Sequence, residues 1–385
     1  MIYLDHAAAT PVDPGVLKVM LPYFSEKFAN PSAVYQFALQ NRQVIDAART
    51  QVSGILNCKS EEVYFTGGGT ESNNWAIFGT AEALKSKGKH VVTTVIEHHS
   101  ILKPMEELER RGWKITYLPV DQDGHVQKEK LQKALTPETV LVSIAYANNE
   151  IGTVENITEI GKIIKEHRSK NGSDTLFHTD ACQAAGALPL DVRDLNVDLM
   201  TLNGGKIYGP KGSGILYIRE GIKIMPLLYG GGQEHRQRAG TENMPNIAGF
   251  AEALKIAESM RPEESKRLIK LRDALIKGLQ QKIPGATLNG DPVKRLPNNI
   301  NISFPGVDAE SLLVRLDMEG ICASAGSACT SGALEPSHVL MALGAEKDLA
   351  KTSIRMTLGR ENTQKDIEKV LEILPRICAT MGSPL

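Results

Sequence analysis

Two lysines, Lys206 and Lys211, stand five residues apart in LNGGKIYGPKGSG (202–214), between the apolar runs VDLMTL and ILYI. A lysine amine can sit on a phosphate as a point charge. Held out of water, it can instead lose its proton and form a Schiff base with a carbonyl. Lys206 follows a strand end directly, with Gly204 and Gly205 leaving room beside it, whereas Lys211 lies in the turn sequence Gly-Pro-Lys-Gly. Position therefore favours Lys206 as the reactive amine over the alternative of a solvated surface lysine.

Other residues with chemistry follow other apolar runs. After EEVYFT comes GGGTESNN (67–74). Its glycines can offer backbone N–H groups to an anion at a helix start, with Thr70 adding a hydroxyl; the plain alternative is a turn in which Thr70 caps the helix. It matches neither GxGxxG nor GxxxxGK[ST], so neither a dinucleotide nor a nucleoside triphosphate is indicated. His98 follows HVVTTVIE and can stack on a flat ring, move protons, or be structural. Asn148, Asn149 and Glu150 follow VLVSIAYA. Asp180 ends DTLFHTD, with Gln183 just beyond; it either caps a helix or faces a buried cation such as a protonated ring nitrogen. An anion cradle, a carboxylate, a ring neighbour and an amine together outline a site for pyridoxal phosphate. Cys329 lies within ASAGSACTSG (323–332), where small residues favour the exposure a reactive thiol needs; the other four cysteines read as ordinary free thiols.

These residues must be positioned by an alternation of β-rich runs and helical patterns between about 60 and 220, which predicts an α/β fold with a mostly parallel sheet covered on both faces. In such sheets ligands bind outside the carboxyl ends of the strands, where these candidates cluster. The charged stretch RPEESKR is expected to mark the passage into a second, smaller α+β unit, as the 385-residue length suggests. A net charge of −1 gives no reason to expect nucleic acid or an anionic membrane surface. No apolar run reaches the roughly 18 residues of a spanning helix, and the N-terminus does not read as a secretory signal. Five scattered cysteines without CxxC suit a reducing, cytoplasmic compartment and no metal site.

With these residues placed, the chain resembles the cysteine desulfurases of the NifS/IscS group, in the class V aminotransferase family of fold type I pyridoxal phosphate enzymes. The resemblance runs through YLDHAAATP, ANPS, GGGTESNN, EHHS, NNEIGTV, HTDACQAAG, KIYGPKGSG, RAGTEN, GSACTSGALEPSHVLMALG and SIRMTLGR. It implies a large cofactor-binding domain (13–256) built on a seven-stranded sheet flanked by helices. It also implies a small α+β domain (1–12 and 257–385) carrying a cysteine loop at about 322–334. Residue by residue, Lys206 matches the Schiff-base lysine, Asp180 the partner of the pyridine nitrogen, Gln183 the donor to the phenolic oxygen and His98 the stacked acid–base histidine. Gly69 and Thr70 match the phosphate cradle, and Asn203 stands in the cofactor-binding run before the lysine. Thr241 matches a residue reaching the neighbouring subunit's phosphate, which implies a homodimer. Asn149 and Arg355 match groups holding the substrate, Arg355 by its α-carboxylate. Cys329 matches the nucleophile that takes sulfur from L-cysteine as a persulfide, leaves L-alanine, and passes the sulfur to an acceptor such as an iron–sulfur scaffold protein. A selenocysteine lyase, another class V enzyme and a non-catalytic sulfur-transfer scaffold are the alternatives. The sequence departs from the family pattern at Gly205, where relatives carry a polar side chain, and at His6, where Asn is common; the first predicts weaker cofactor retention.

Overall fold

Seven apolar stretches form one sheet: β1 (Val63–Thr66), β2 (His90–Thr94), β3 (Lys114–Leu118), β4 (Thr139–Ser143), β5 (Leu176–Asp180), β6 (Leu199–Asn203) and β7 (Gly214–Ile218). The computed structural model describes residues 1–325 and 336–381. Strand order is β1-β7-β6-β5-β4-β2-β3; β3 to β6 pair in parallel through β2, β4 and β5, and β7 runs antiparallel to both neighbours. Every residue of β2, β4 and β7 is buried, which is why these strands read as continuous β-branched and apolar runs. One face packs under α1 (Pro14–Met20), α2 (Gln36–Leu56) and the first part of the long helix Met244–Lys282, through Val52, Phe177, Phe250 and Leu254. The other is covered by the short helix α3 (Gly69–Asn74) with its continuation and by α4 (His99–Arg110), through Trp75, Ile101, Met105 and Leu108.

A second core is built on β8 (Thr287–Leu288), β9 (Asn299–Ser303), β10 (Ser324–Ala325) and β11 (Ser353–Thr357), antiparallel in the order β10-β11-β9-β8. Leu4 belongs to this core, and Ile2–Tyr3 pairs in parallel with Ile321–Cys322. The N-terminal segment is thus woven into the C-terminal unit. RPEESKR is not a break. It lies inside the helix α5 (Met244–Lys282), which contributes Ala257 to the first core and Leu268 to the second. Its charges are strong helix formers paired three residues apart: Arg261 with Glu258, Lys266 with Glu263, Arg267 with Glu264. The loop expected from about 322 also starts later, because Ser324 and Ala325 are paired with Arg355 and Ile354.

The two cores are joined at the loop after β4. Four successive carbonyls there accept from the second unit: Asn149 O from Arg355 Nη1 (3.1 Å), Glu150 O from Asn299 and Asn301 Nδ2 (both 3.2 Å), Ile151 O from Arg295 Nη2 (2.9 Å) and Gly152 O from the Leu296 N–H (2.8 Å). Gly152 has φ 79°, and a Cβ there would lie 2.7 Å from Asn299, so the approach requires glycine. Nearby His125 Nε2 donates to Asp291 across the same seam at 2.8 Å. Glu155 first, then Asp291, raise the His125 pKa to about 9. Among the described residues no helix is long and apolar enough to cross a membrane.

Candidate active site

The carboxyl ends of β2, β4, β5 and β6 open onto a cavity of about 310 Å³. Lys206, Asp180, Gln183 and His98 line it, as do Gly69, Thr70 and Asn203; Asn149 and Arg355 lie on its wall as well. Thr241 does not. It lines a separate cavity of about 260 Å³ with Glu234 and Arg238. Cys329 lies outside the described residues.

Lys206 closes a single helical turn (Gly204–Lys206) that Asn203 starts by accepting from the Gly205 N–H at 3.0 Å. Its Nζ donates to Ala8 O at 2.6 Å, and Gln183 Nε2 donates to Ala7 O at 3.1 Å, so the N-terminal segment forms one wall. Lys211 also points back, onto Thr10 O, and lines a compartment of about 210 Å³ beside the Gly67–Gly69 turn. That turn enters α3 with Gly68 as its cap residue at φ 138°, a conformation reserved for glycine; Thr70 lies inside the helix and is not the cap. A Cβ at Gly69 would come within 2.8 Å of Cys182 Sγ, so this glycine keeps the cradle open.

His98 caps α4, its Nδ1 accepting from the Ser100 N–H at 3.0 Å. This cap is the structural role the sequence left open for it. Ser100 Oγ, 2.8 Å from the same Nδ1, donates to it and accepts from Asn73 Nδ2 at 2.8 Å. Asn73 Nδ2 also donates to Asp180 Oδ2 at 2.7 Å, while Asp180 Oδ1 accepts from the Cys182 N–H at 2.9 Å. A continuous chain therefore runs Asp180–Asn73–Ser100–His98. It fixes His98 with Nδ1 as acceptor and the proton on Nε2. Burial, more than its charged neighbours, lowers the His98 pKa, so the ring is neutral near pH 7.

Toward the loop after β4 the wall changes character. Glu97 and Glu150, each 2% exposed, have one carboxyl oxygen each without a partner among the described residues, as does His99 Nδ1. Burial raises the Glu97 pKa to about 8 and the Glu150 pKa to about 7. His338 stacks at a tilt on His99, with ring centroids 5.2 Å apart, and contacts Glu97 O at 3.1 Å.

Sequence reading missed Asn73, Ser100, Glu97, His99 and His338. Asn73 lay inside GGGTESNN, picked out by the strand-end rule, and Ser100 inside the quoted motif EHHS, and both were findable there. Cys182, read as an ordinary thiol, lines the cavity; burial raises its pKa well above the usual thiol range, which makes it inert.

Residues 2–370 match the model of the class-V aminotransferase family. The chain is 49% identical over 378 residues, 98% of its length and 94% of the relative's, to the cysteine desulfurase IscS of Clostridium botulinum strain Hall. Among solved structures, a NifS-like protein superposes with a TM-score of 0.92 at 35% identity, covering 98% of this chain and 99% of the other. The protein SspA, solved in complex with cysteine, does so with a TM-score of 0.82 at 35% identity, covering 93% and 99%. The chain belongs to the class-V aminotransferase family, within its NifS/IscS group of cysteine desulfurases.

Proposed function

We propose that this chain is a pyridoxal phosphate-dependent cysteine desulfurase that converts L-cysteine to L-alanine and transfers the sulfur to Cys329, then to an acceptor for iron–sulfur cluster assembly or another thiolation. The observation that carries this reading is one cavity in which Lys206, Asp180 and His98 share a wall with Arg355. The family is pyridoxal phosphate-dependent, and the residues fit that cofactor. A Cβ at Gly67 or Gly69 would clash with Glu71 or Cys182, so the turn can stay this close only as glycine, and Asn73 Oδ1 beside Asp180, buried and without a partner among the described residues, leaves an acceptor for a ligand. Gly69 and Thr70 would hold its phosphate, Asp180 its ring nitrogen, Gln183 its phenolic oxygen and Lys206 its aldehyde. When bound, the cofactor supplies an electron sink for bond breaking at the substrate α-carbon.

The chain's own residues do the rest. Asp180, held through both oxygens, would face the ring nitrogen. Lys206 Nζ is placed to take a proton from the substrate α-carbon. Neutral His98 keeps a proton on Nε2 that it can give or regain at the substrate. Arg355 offers guanidinium donors to the substrate α-carboxylate and Asn149 lines the same wall. We further propose that residues 13–256 and the pair 1–12 with 257–385 act as large and small domains, and that the enzyme is a homodimer. Phe24, Phe28, Val34 and Tyr35, all more than half exposed, give an apolar face for a second copy. Thr241, outside its own cavity, is then available to the neighbour's phosphate.

Incubation of the yellow holoenzyme with L-cysteine should yield L-alanine and protein-bound sulfur in equal amounts. Lys206→Ala should lose the cofactor absorption and the activity. Cys329→Ser should keep the absorption and lose sulfur transfer. Alanine formation at full rate without Cys329 favours a lyase, and none from the wild type favours a scaffold.

A further inference from the structure

Arg355 is 3% exposed, on β11, and its guanidinium is held from two sides. Nη1 donates to Asn149 O at 3.1 Å, and Nη2 donates to Asp5 Oδ1 at 2.8 Å. Asp5 is its only ion-pair partner among the described residues. Nε is buried and has no partner among them, although the side chain lines the cavity. An arginine presents five N–H donors in a rigid plane, and a carboxylate normally takes two neighbouring ones. Here the protein uses one Nη1 and one Nη2 hydrogen, so the guanidinium keeps further N–H donors for a ligand in the cavity it lines.

We propose that Asp5 is the positioning residue for substrate binding: its carboxylate fixes the plane and register of Arg355 so that the remaining guanidinium N–H donors receive the substrate α-carboxylate. The inference rests on the desulfurase reading for its substrate. Two points favour positioning over a merely structural pair. Asp5 does not need its side chain to stay in place, because its backbone bridges Thr357, Leu4 O accepts from the Thr357 N–H at 2.7 Å, and Ala7 N–H donates to Thr357 Oγ1 at 2.8 Å. Among the described residues the Asp5 side chain hydrogen-bonds Arg355, and its backbone is held independently of that bond. Moreover, the two anchors come from different places, Asp5 from the N-terminal segment and Asn149 from the loop after β4. Together they fix a guanidinium that one anchor would leave free to swing.

The test compares Asp5→Ala and Asp5→Asn holoenzymes with wild type. Asp5→Ala should raise KM for L-cysteine on the order of tenfold, the usual effect of losing one hydrogen bond to a charged group, with kcat within about twofold. The competitive inhibition constant of L-alanine should rise in parallel, while that of cysteamine, which has no carboxylate, should stay constant. Asp5→Asn keeps an acceptor oxygen and should recover most of the loss. An unchanged KM overturns the proposal. So does a rise for L-alanine and cysteamine alike, which means general distortion, and so does a fall in KM, which means that Asp5 competes with substrate. If wild type makes no alanine from cysteine, the desulfurase reading fails, and spectral titration of each holoenzyme with L-alanine still decides on Asp5.

Discussion

The two ends of the cavity are built on opposite plans. At the end where Asp180 and Lys206 meet, side chains are bound to one another: Asp180 through both oxygens, His98 through Nδ1, Gln183 and Lys206 to backbone carbonyls. Toward the loop after β4, Glu97 Oε2, His99 Nδ1, Glu150 Oε1 and Arg355 Nε have no partner among the described residues. Buried polar atoms are nearly always satisfied, and a cluster of exceptions is a cost the fold carries for a reason. The Asp180 end is held by its own hydrogen bonds before anything binds and leaves only Asn73 Oδ1 open among its described side chains, as suits a resident cofactor. The unsatisfied end awaits groups that come and go, as suits a substrate that leaves as a different molecule.

The largest test of that contrast is Glu97→Gln. Burial holds the Glu97 pKa near 8, above its ordinary 4.5. For a group raised in the folded state, the stability it favours is complete below the unfolded pKa and is lost as pH rises through the folded one. Wild type should therefore lose stability between about pH 4.5 and pH 8 from this residue. Glutamine can still accept from the Ala145 N–H and Thr94 Oγ1 and has no charge to bury. Urea unfolding at pH 9 should find the variant more stable by about 2–4 kcal/mol, with the difference shrinking to nothing near pH 5. A constant difference across that range means that Glu97 has a partner at all pH values and the open end is not open.

Asn73→Ala probes the closed end. It removes the one side chain that ties Asp180 to Ser100, and through Ser100 to His98, leaving two buried acceptors short of a donor. The kcat should fall about ten- to fiftyfold, with KM for cysteine changed little, because the ring end and not the carboxylate end is loosened. If KM moves and kcat does not, the two ends are coupled and the contrast between them is false.

How far the site could be read beforehand follows the same division. Most of the seven sheet strands were legible because buried strands write themselves as unbroken β-branched runs, and the strand-end rule then collected Lys206, Asp180, His98 and Asn149 on one edge. RPEESKR misled because a run of charges is as good a solvated helix as a linker, and only the packing of Ala257 and Leu268 into different cores shows which. Glu97 and His99 were not legible, since their meaning lies in missing hydrogen bonds, which no spacing records, and His338 reaches Glu97 from 241 residues away in the chain. Asp5 was quoted within a motif, yet its partner is 350 residues away. His6 remained without a role until its contacts with Thr357 O (2.9 Å) and Glu361 (3.2 Å) showed it pinning the N-terminal segment to the second core.

Gly205 gives the smallest expected effect and the finest test of the closed end. Its neighbour Gly204 is dictated by packing, since a Cβ there would lie 2.2 Å from Ser213 Oγ. At Gly205 the nearest atoms to a Cβ are Asn203 Oδ1 at 3.5 Å and Lys211 Cγ at 3.6 Å, ordinary contact distances, and the compartment beside the Gly67–Gly69 turn lies open next to it. The space for a polar side chain therefore exists and is unused. Gly205→His should fold normally and lower the pyridoxal phosphate dissociation constant by about three- to tenfold, the worth of one added hydrogen bond to a phosphate, as read by absorbance titration of the apoprotein. An unchanged constant would show that Lys211, on the wall of the same compartment, already supplies what the missing side chain would add. The closed end would then be complete without the residue that relatives place there.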